Sequence, residues 1–322
     1  MKNNKLRVIL ITQGVSRLVK PLLNSKFEVV GVIESAPRNY NDNGFYYSLL
    51  RLGSRLYSKL TSTDVSLKFF CNSIQKPYLF MTSNNENKLQ DWVKSLKPDV
   101  IVVFSMSQLL KENIFSIPKL GTINLHPSYL PDYRGPNPDF WQYYHMEMEP
   151  GVTVHYIDKG EDTGEIITQE RVHIPLGTKS PERLDKLIGK VGVNLILEAL
   201  GDLESGKVKT TIQPKKSSTP RARNLKPEEH ASIIDWHEWP AERIWHVLRG
   251  TELWLNAIPK PKGVYYGQRW VVEELEKFSG QNVTPGTVYR RNGRSCVAVR
   301  EGCIYLACSF NLKQLLITLF KK

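Results

Sequence analysis

Four cysteines in 322 residues, at positions 71, 296, 303 and 308, follow no zinc-ligand spacing and have no histidine pair beside them. Neither structural disulfides nor a metal centre is therefore expected, and the thiols read as isolated groups in a reducing compartment. No apolar run approaches the ~20 residues that cross a bilayer. The basic, briefly apolar start MKNNKLRVILITQGV is not followed by the small-residue cleavage site of a secretory signal. The chain reads as cytoplasmic, with no membrane partner. Two chemical signatures are also missing. TQGVS is not the G-x-G-x-x-G of a dinucleotide site, and NLHPS is not the G-x-S-x-G of a nucleophile elbow. A nicotinamide cofactor and an activated serine are both unsupported. Acids are outnumbered, 32 against 44 Lys and Arg, leaving a net charge of +12. That balance suits a polyanionic partner: nucleic acid, a nucleotide diphosphate, or a phosphorylated or polyglutamylated small molecule.

What is present reads as an α/β protein able to bury a core, with 41% hydrophobic and 24% charged residues. RVILIT is a continuous apolar run, as in a strand covered on both faces. FEVVGVIES, VIVVFS, GTINLH and GVTVHYID follow as further strands. VSRLVKPLLNS, ENKLQDWVKSLKPD and the stretch from about Pro181 to Leu200 have helical spacing, the second ended by Pro98. Alternating strands and helices imply a Rossmann-like, mostly parallel sheet with helices on both faces, over residues 1–205. Residues 206–228 hold a basic, Ser/Thr/Pro-rich run. KVKTTIQPKKSSTPRARNLK has seven Lys or Arg and no acid, which reads as an exposed linker or arm. Residues 229–322 offer a short helix at AERIWHVLRG and then short strands, as in a small OB-like antiparallel β-barrel.

Ligands of such sheets gather beyond the carboxyl ends of the strands. That topology brings Ser105–Leu109, Asn124–Ser128 and Asp158–Gly164 to one rim. Within GTINLHPSYLPDYRGPNP, Asn124 and His126 lie two apart on a strand and share a face. A carboxamide and a protonated imidazole both donate hydrogen bonds suited to a developing oxyanion. The prolines that follow stiffen the turn behind them. Spacing alone leaves open an ordinary loop histidine beside a turn-forming asparagine. DKGEDTGEII, on the same rim, holds Asp158, Glu161, Asp162 and Glu165 around two glycines. One of these carboxylates could meet the imidazole and take a proton. Asn, His and Asp together would serve acyl transfer to an amine without a covalent intermediate.

INLHPSYLPDYRGPNP and GEDTGEII together resemble the signatures of the N10-formyltetrahydrofolate-dependent formyltransferases, over roughly Arg7 to Leu200. The resemblance implies that Asn124, His126 and Asp162 are catalytic and that N10-formyltetrahydrofolate is the co-substrate, with no metal. It implies that Met106, Gln108 and Leu109 line the pterin pocket and that the loop Asp158 to Asp162, with Gly160, closes its other side. Arg134 and Asn137 would hold the phosphate or sugar of the acceptor. His155 matches a histidine of the purine-pathway members, though a lone strand histidine is more often structural. IDWHEWPAERIWHVLRG and PGTVYRRNGRSCVAVREGCIYL are similar to the carboxy-terminal barrel of the tRNA and sugar enzymes, which argues against purine synthesis.

The acceptor is read from departures. Where the tRNA enzymes carry a glycine- and lysine-rich loop, this chain has RNYNDNGFYYSLLRLGSRLYSKL, basic, aromatic and expected to be helical. After RG it has PNPDFWQYY, whose Phe140, Trp141, Tyr143 and Tyr144 are either helix core or the wall of a smaller acceptor cavity. A nucleotide-linked amino sugar is favoured. Initiator methionyl-tRNA is the alternative, kept open by the basic arm, and a non-catalytic polyanion-binding scaffold is the third reading. An exposed barrel edge would permit a homodimer.

Overall fold

The computed structural model of the chain describes residues 5–37, 66–82, 85–261 and 268–310. The helix expected within 38–60, and the start of the strand expected at 263–267, lie outside them. The described residues fall in two compact units that alternate along the chain. The first runs up to Pro136 and takes in Pro150–Val172 and Leu184–Arg221; the second comprises Asn137–Glu149, His173–Arg183 and the residues from Ala222 onward.

The first unit is built on seven strands, β1 (Arg7–Thr12), β2 (Glu28–Ser35), β3 (Tyr78–Met81), β4 (Val100–Phe104), β5 (Thr122–His126), β6 (Gly151–Tyr156) and β7 (Ile166–Arg171). They lie in the order β3-β2-β1-β4-β5-β6-β7. The first five pair in parallel, and β6 and β7 add antiparallel neighbours. β3 and β7 are too short or too polar to stand out by pattern. The apolar run of β1 is fully buried from Val8 to Ile11, because its neighbours on both sides and packing on both faces leave it no contact with water. One face carries α1 (Val19–Leu23); α2 (Leu67–Ser73), α3 (Glu86–Leu96) and α4 (Glu112–Phe115) follow along the chain. α3 contributes Leu89 and Val93 to a core with Ile9, Ile33, Ile101 and Val103. It stops at Lys97, which turns left-handed (φ 45°) just before Pro98. Gly31 lets this helix approach, since a Cβ there would lie 2.6 Å from Trp92 and Leu96.

Late in the chain α5 (Pro138–Tyr144), α6 (Ser180–Leu184), a π-wound stretch at Asp185–Gly192, α7 (Val193–Ser205) and α8 (Ala241–Thr251) complete the helices. Residues 206–221 belong to the first unit: Thr211 bridges to Ile166 and Gln213 is buried. In the second unit β8 (Gln268–Glu276), β9 (Val288–Arg291), β10 (Arg294–Val299) and β11 (Gly302–Phe310) form an antiparallel sheet ordered β8-β11-β10-β9. Of the small barrel expected here, the described residues contribute these four strands. Their core joins Val297, Val299, Ile304 and Leu306 to Ile244 and Val247 of α8 and Phe140 of α5. Phe140 and Tyr143 are therefore core residues of this unit, 1% and 2% exposed. No helix among the described residues is long and apolar enough to cross a membrane.

Candidate active site

β1 sits between β2 and β4, so the strand order reverses there and the carboxyl ends of the parallel strands open onto a crevice. β5 delivers Asn124 and His126 to this rim on one face, as period two requires. Asp162 reaches them from the loop between β6 and β7. One oxygen of its carboxylate accepts the Gly135 N–H at 2.9 Å and faces His126 Nδ1 at 3.6 Å. The other stands 3.5 Å from Asn124 Nδ2 and 3.7 Å from His155 Nε2. The imidazoles of His126 and His155 meet edge to face, centroids 6.2 Å apart. The amide, imidazole and carboxylate expected to converge do so.

Acceptor-only neighbours determine the tautomers. His155 Nδ1 lies 2.8 Å from the Tyr156 carbonyl, so it carries the proton and donates. Its Nε2 is then an acceptor, and Asn124 Nδ2 donates to it at 3.1 Å. His126 Nε2 lies 3.1 Å from the Tyr133 carbonyl and donates there, which leaves Nδ1 turned to Asp162. His155 thus aims the Asn124 carboxamide. Register explains how: Asn124 of β5 is directly opposite His155 of β6. His155, which the resemblance named and which a lone strand position makes more often structural, is buried and holds Asn124 through this cross-strand pairing.

Burial is the largest influence on His155 and pushes its pKa from the ordinary 6.5 down to about 4, against the opposing pull of Asp162. The native state keeps this ring neutral while the unfolded chain protonates first. Its contribution to stability is complete above pH 6.5 and falls by about 1.4 kcal/mol per pH unit as the pH drops toward 4. Urea denaturation at neutral and mildly acid pH is expected to show that slope. It should shrink by that amount in His155→Gln, which keeps an acceptor for Asn124 without titrating.

The loop that carries Asp162 is scaffolded from within. Asp158 accepts from the Gly160 N–H at 3.0 Å and from Thr163 Oγ1 at 2.7 Å. Gly164 has to be glycine, because a Cβ would fall 1.9 Å from the Tyr156 carbonyl oxygen. Asp162 itself is left-handed, φ 54°. Of the residues expected at the pterin pocket, Gln108 uses its side chain to tie the 105–109 turn to the end of β2, donating to the Ala36 carbonyl at 2.8 Å and accepting from Ser35 Oγ. Met106 packs partly onto the core of the sheet, and Leu109 is 83% exposed.

Arg134, expected at an acceptor phosphate, is occupied elsewhere. It is 9% exposed, and its guanidinium donates to Gln213 Oε1 at 3.1 and 2.6 Å, to the Pro214 carbonyl at 2.9 Å and to the Lys215 carbonyl at 3.3 Å. With Nε and Nη2 on Gln213 and the other Nη2 and one Nη1 hydrogen on carbonyls, neither bidentate edge of the fork is open to a phosphate. Asn137 precedes α5 in the second unit, its N–H bonded to the Ala222 carbonyl at 2.9 Å. Among the described residues no group of three His, Cys, Asp or Glu side chains could hold a metal ion.

The chain is similar to known proteins in sequence and in fold. The sequence profile described as Formyl transferase matches residues 64–200. Methionyl-tRNA formyltransferase of Caldanaerobacter subterraneus subsp. tengcongensis is 33% identical over 224 residues, 69% of each chain. The enzyme of that name from Alkaliphilus oremlandii is 29% identical over 294 residues, 90% of this chain and 84% of its own. Among solved structures, WlaRD, a sugar 3N-formyl transferase determined with dTDP and 5-N-formyl-THF, superposes with a TM-score of 0.59. It is 18% identical, over 96% of this chain and 99% of its own. HypX from Aquifex aeolicus in complex with tetrahydrofolic acid gives 0.57 at 16% identity, over 94% of this chain and 43% of its own. At such identities the structural likeness speaks for the fold. With two thirds of a curated relative matched at one residue in three, and the family profile spanning β4, β5 and the Asp162 loop, the chain belongs to the formyl transferase family.

Proposed function

We propose that the protein transfers a formyl group from N10-formyltetrahydrofolate to a primary amine, and that the amine belongs to a nucleotide-linked amino sugar. The convergence of Asn124, His126 and Asp162 at the carboxyl end of β5 carries the first part. In the step it supports, the amine lone pair bonds to the formyl carbon and the carbonyl electrons move onto oxygen. One Asn124 N–H is held by His155; the other has only its long contact with Asp162 and can turn to that oxygen. His126 has committed Nε2–H to Tyr133, so it offers an N–H at Nδ1 only as the imidazolium, with Asp162 as counter-charge. The attacking nitrogen loses its proton to Asp162, directly or through water; the oxygen electrons then re-form the carbonyl as the bond to the folate nitrogen breaks, and that nitrogen leaves with the proton handed on from Asp162. The folate supplies a formyl group on a competent leaving group. Met106 and exposed Leu109 offer its flat ring apolar surface on the turn that Gln108 holds.

Two observations support the sugar. A solved sugar 3N-formyl transferase, determined with dTDP, shares the fold nearly end to end. The sequence at 38–60 also lacks the glycine- and lysine-rich run of the tRNA enzymes. The aromatic PNPDFWQYY segment no longer bears on the choice, because Phe140 and Tyr143 are core. Methionyl-tRNA is the second reading, supported by the curated relatives. Labelled formyl-folate offered with dTDP-, UDP- and GDP-linked amino sugars, and separately with methionyl-tRNA, decides between them. The sugar reading expects kcat/KM for one amino sugar to exceed that for tRNA by more than about tenfold, with little salt dependence. Turnover of tRNA alone, falling steeply with ionic strength, would reverse the assignment. No turnover with either acceptor would favour the scaffold.

A further inference from the structure

Residues 210–221, a connector by composition, touch both loops of the site. Thr219 Oγ1 accepts the Tyr133 N–H at 2.6 Å, and Arg221 forks onto Glu161. The central contact is Gln213, 8% exposed. Its Oε1 accepts two hydrogens from Arg134, and its Nε2 donates to the Asp162 carbonyl at 3.1 Å and the Gly164 carbonyl at 2.6 Å. Donors on one side and carbonyls on the other leave a single orientation for the carboxamide, with every hydrogen used. The backbone it grips is the one whose left-handed bend, φ 54° at Asp162, a side chain with a Cβ disfavours. That same bend turns the carboxylate onto Gly135 N–H and His126.

Resting on the formyl-transfer reading, we propose that Gln213, oriented by Arg134, is a positioning residue that holds the Asp162 loop bent so that its carboxylate meets the amine being formylated. Gln213 touches no substrate; it acts through the backbone of the residue that takes the proton.

Two variants separate this from a merely structural tie. Gln213→Leu removes all four bonds. Gln213→Glu keeps the Arg134 contact, strengthened by charge, but sets an acceptor oxygen against the two loop carbonyls, so it tests the grip on the loop with the arm still fastened. Both are expected to lower kcat roughly 30- to 100-fold, the cost of displacing a reacting group by about an ångström. Tetrahydrofolate binding, followed by fluorescence titration, should stay within about threefold of the parent, and the solvent deuterium isotope effect on kcat should rise as proton removal becomes limiting. A Gln213→Glu protein with parental kcat overturns the proposal. So does a loss that leaves the isotope effect unchanged and tracks the fraction of protein still able to bind tetrahydrofolate. A parent protein that formylates no amine defeats the formyl-transfer reading itself, and this proposal with it, before any variant is compared.

Discussion

Asp162→Asn is expected to lower kcat for formyl transfer by about three orders of magnitude, within the range for a lost proton acceptor, with KM for the folate little changed. The amide can still accept the Gly135 N–H, so the loop stays in place; what the substitution removes is the carboxylate that the proposed transfer uses as proton acceptor. His126→Ala should cost about a hundredfold, the scale of one oxyanion donor. Because carboxylate and imidazole act together, the double variant should be scarcely worse than Asp162→Asn. Steady-state and single-turnover rates, taken on protein whose fold is checked by circular dichroism, measure all three. Unchanged turnover in either single variant would mean that the chemistry lies elsewhere.

Asp139→Ala is expected to destabilise the second unit by about 3 kcal/mol, the lower end of the range for orphaning a buried charge, since Asp139 is itself partly exposed. Arg183 is 2% exposed. It donates to Asp139 at 2.8 Å and to Gln142, and lies over the Tyr143 ring at 5.1 Å. Around it the Tyr143 hydroxyl donates to the Thr178 carbonyl and is pushed up by burial, while His246, pushed down to about 4 by burial and then by Arg183, stays neutral and accepts the Gly177 N–H. Removing Asp139 takes away the carboxylate to which the buried guanidinium is hydrogen-bonded. Adding Arg183→Met should restore most of the loss, because the costly element is the unpaired charge rather than the missing contact. Six of the seven tryptophans lie in this unit, so fluorescence-monitored urea unfolding reports on it directly.

The sheet was legible because β1, β2, β4 and β5 are apolar runs that a buried parallel sheet demands, and Asn124 and His126 could be paired from spacing on one strand. Asp162 was only one of four acids until the family signature singled it out; its left-handed bend is a tertiary product with no local mark. His155 needed the β5–β6 register, which pattern does not supply. Gln213 was hidden for a different reason: it sits in a run whose lysines, prolines and serines describe solvent exposure, while a single buried amide decides where the run lies. Arg134 misled in the same way, since a turn arginine suggests a phosphate until the carbonyls around it are counted. The aromatic α5 was ambiguous because bulky side chains suit a cavity wall and a core equally well.

The interleaving of the two units along the chain bears on how such enzymes can be recombined. A graft between relatives joined at residue 222 would bring α8 and the β8-β11-β10-β9 sheet from one parent, while Phe140 and Tyr143 came from the other. The hybrid would inherit a core with mismatched halves. An exchange that respects the packing has to move 137–149 and 173–183 with the tail, as a three-piece cassette.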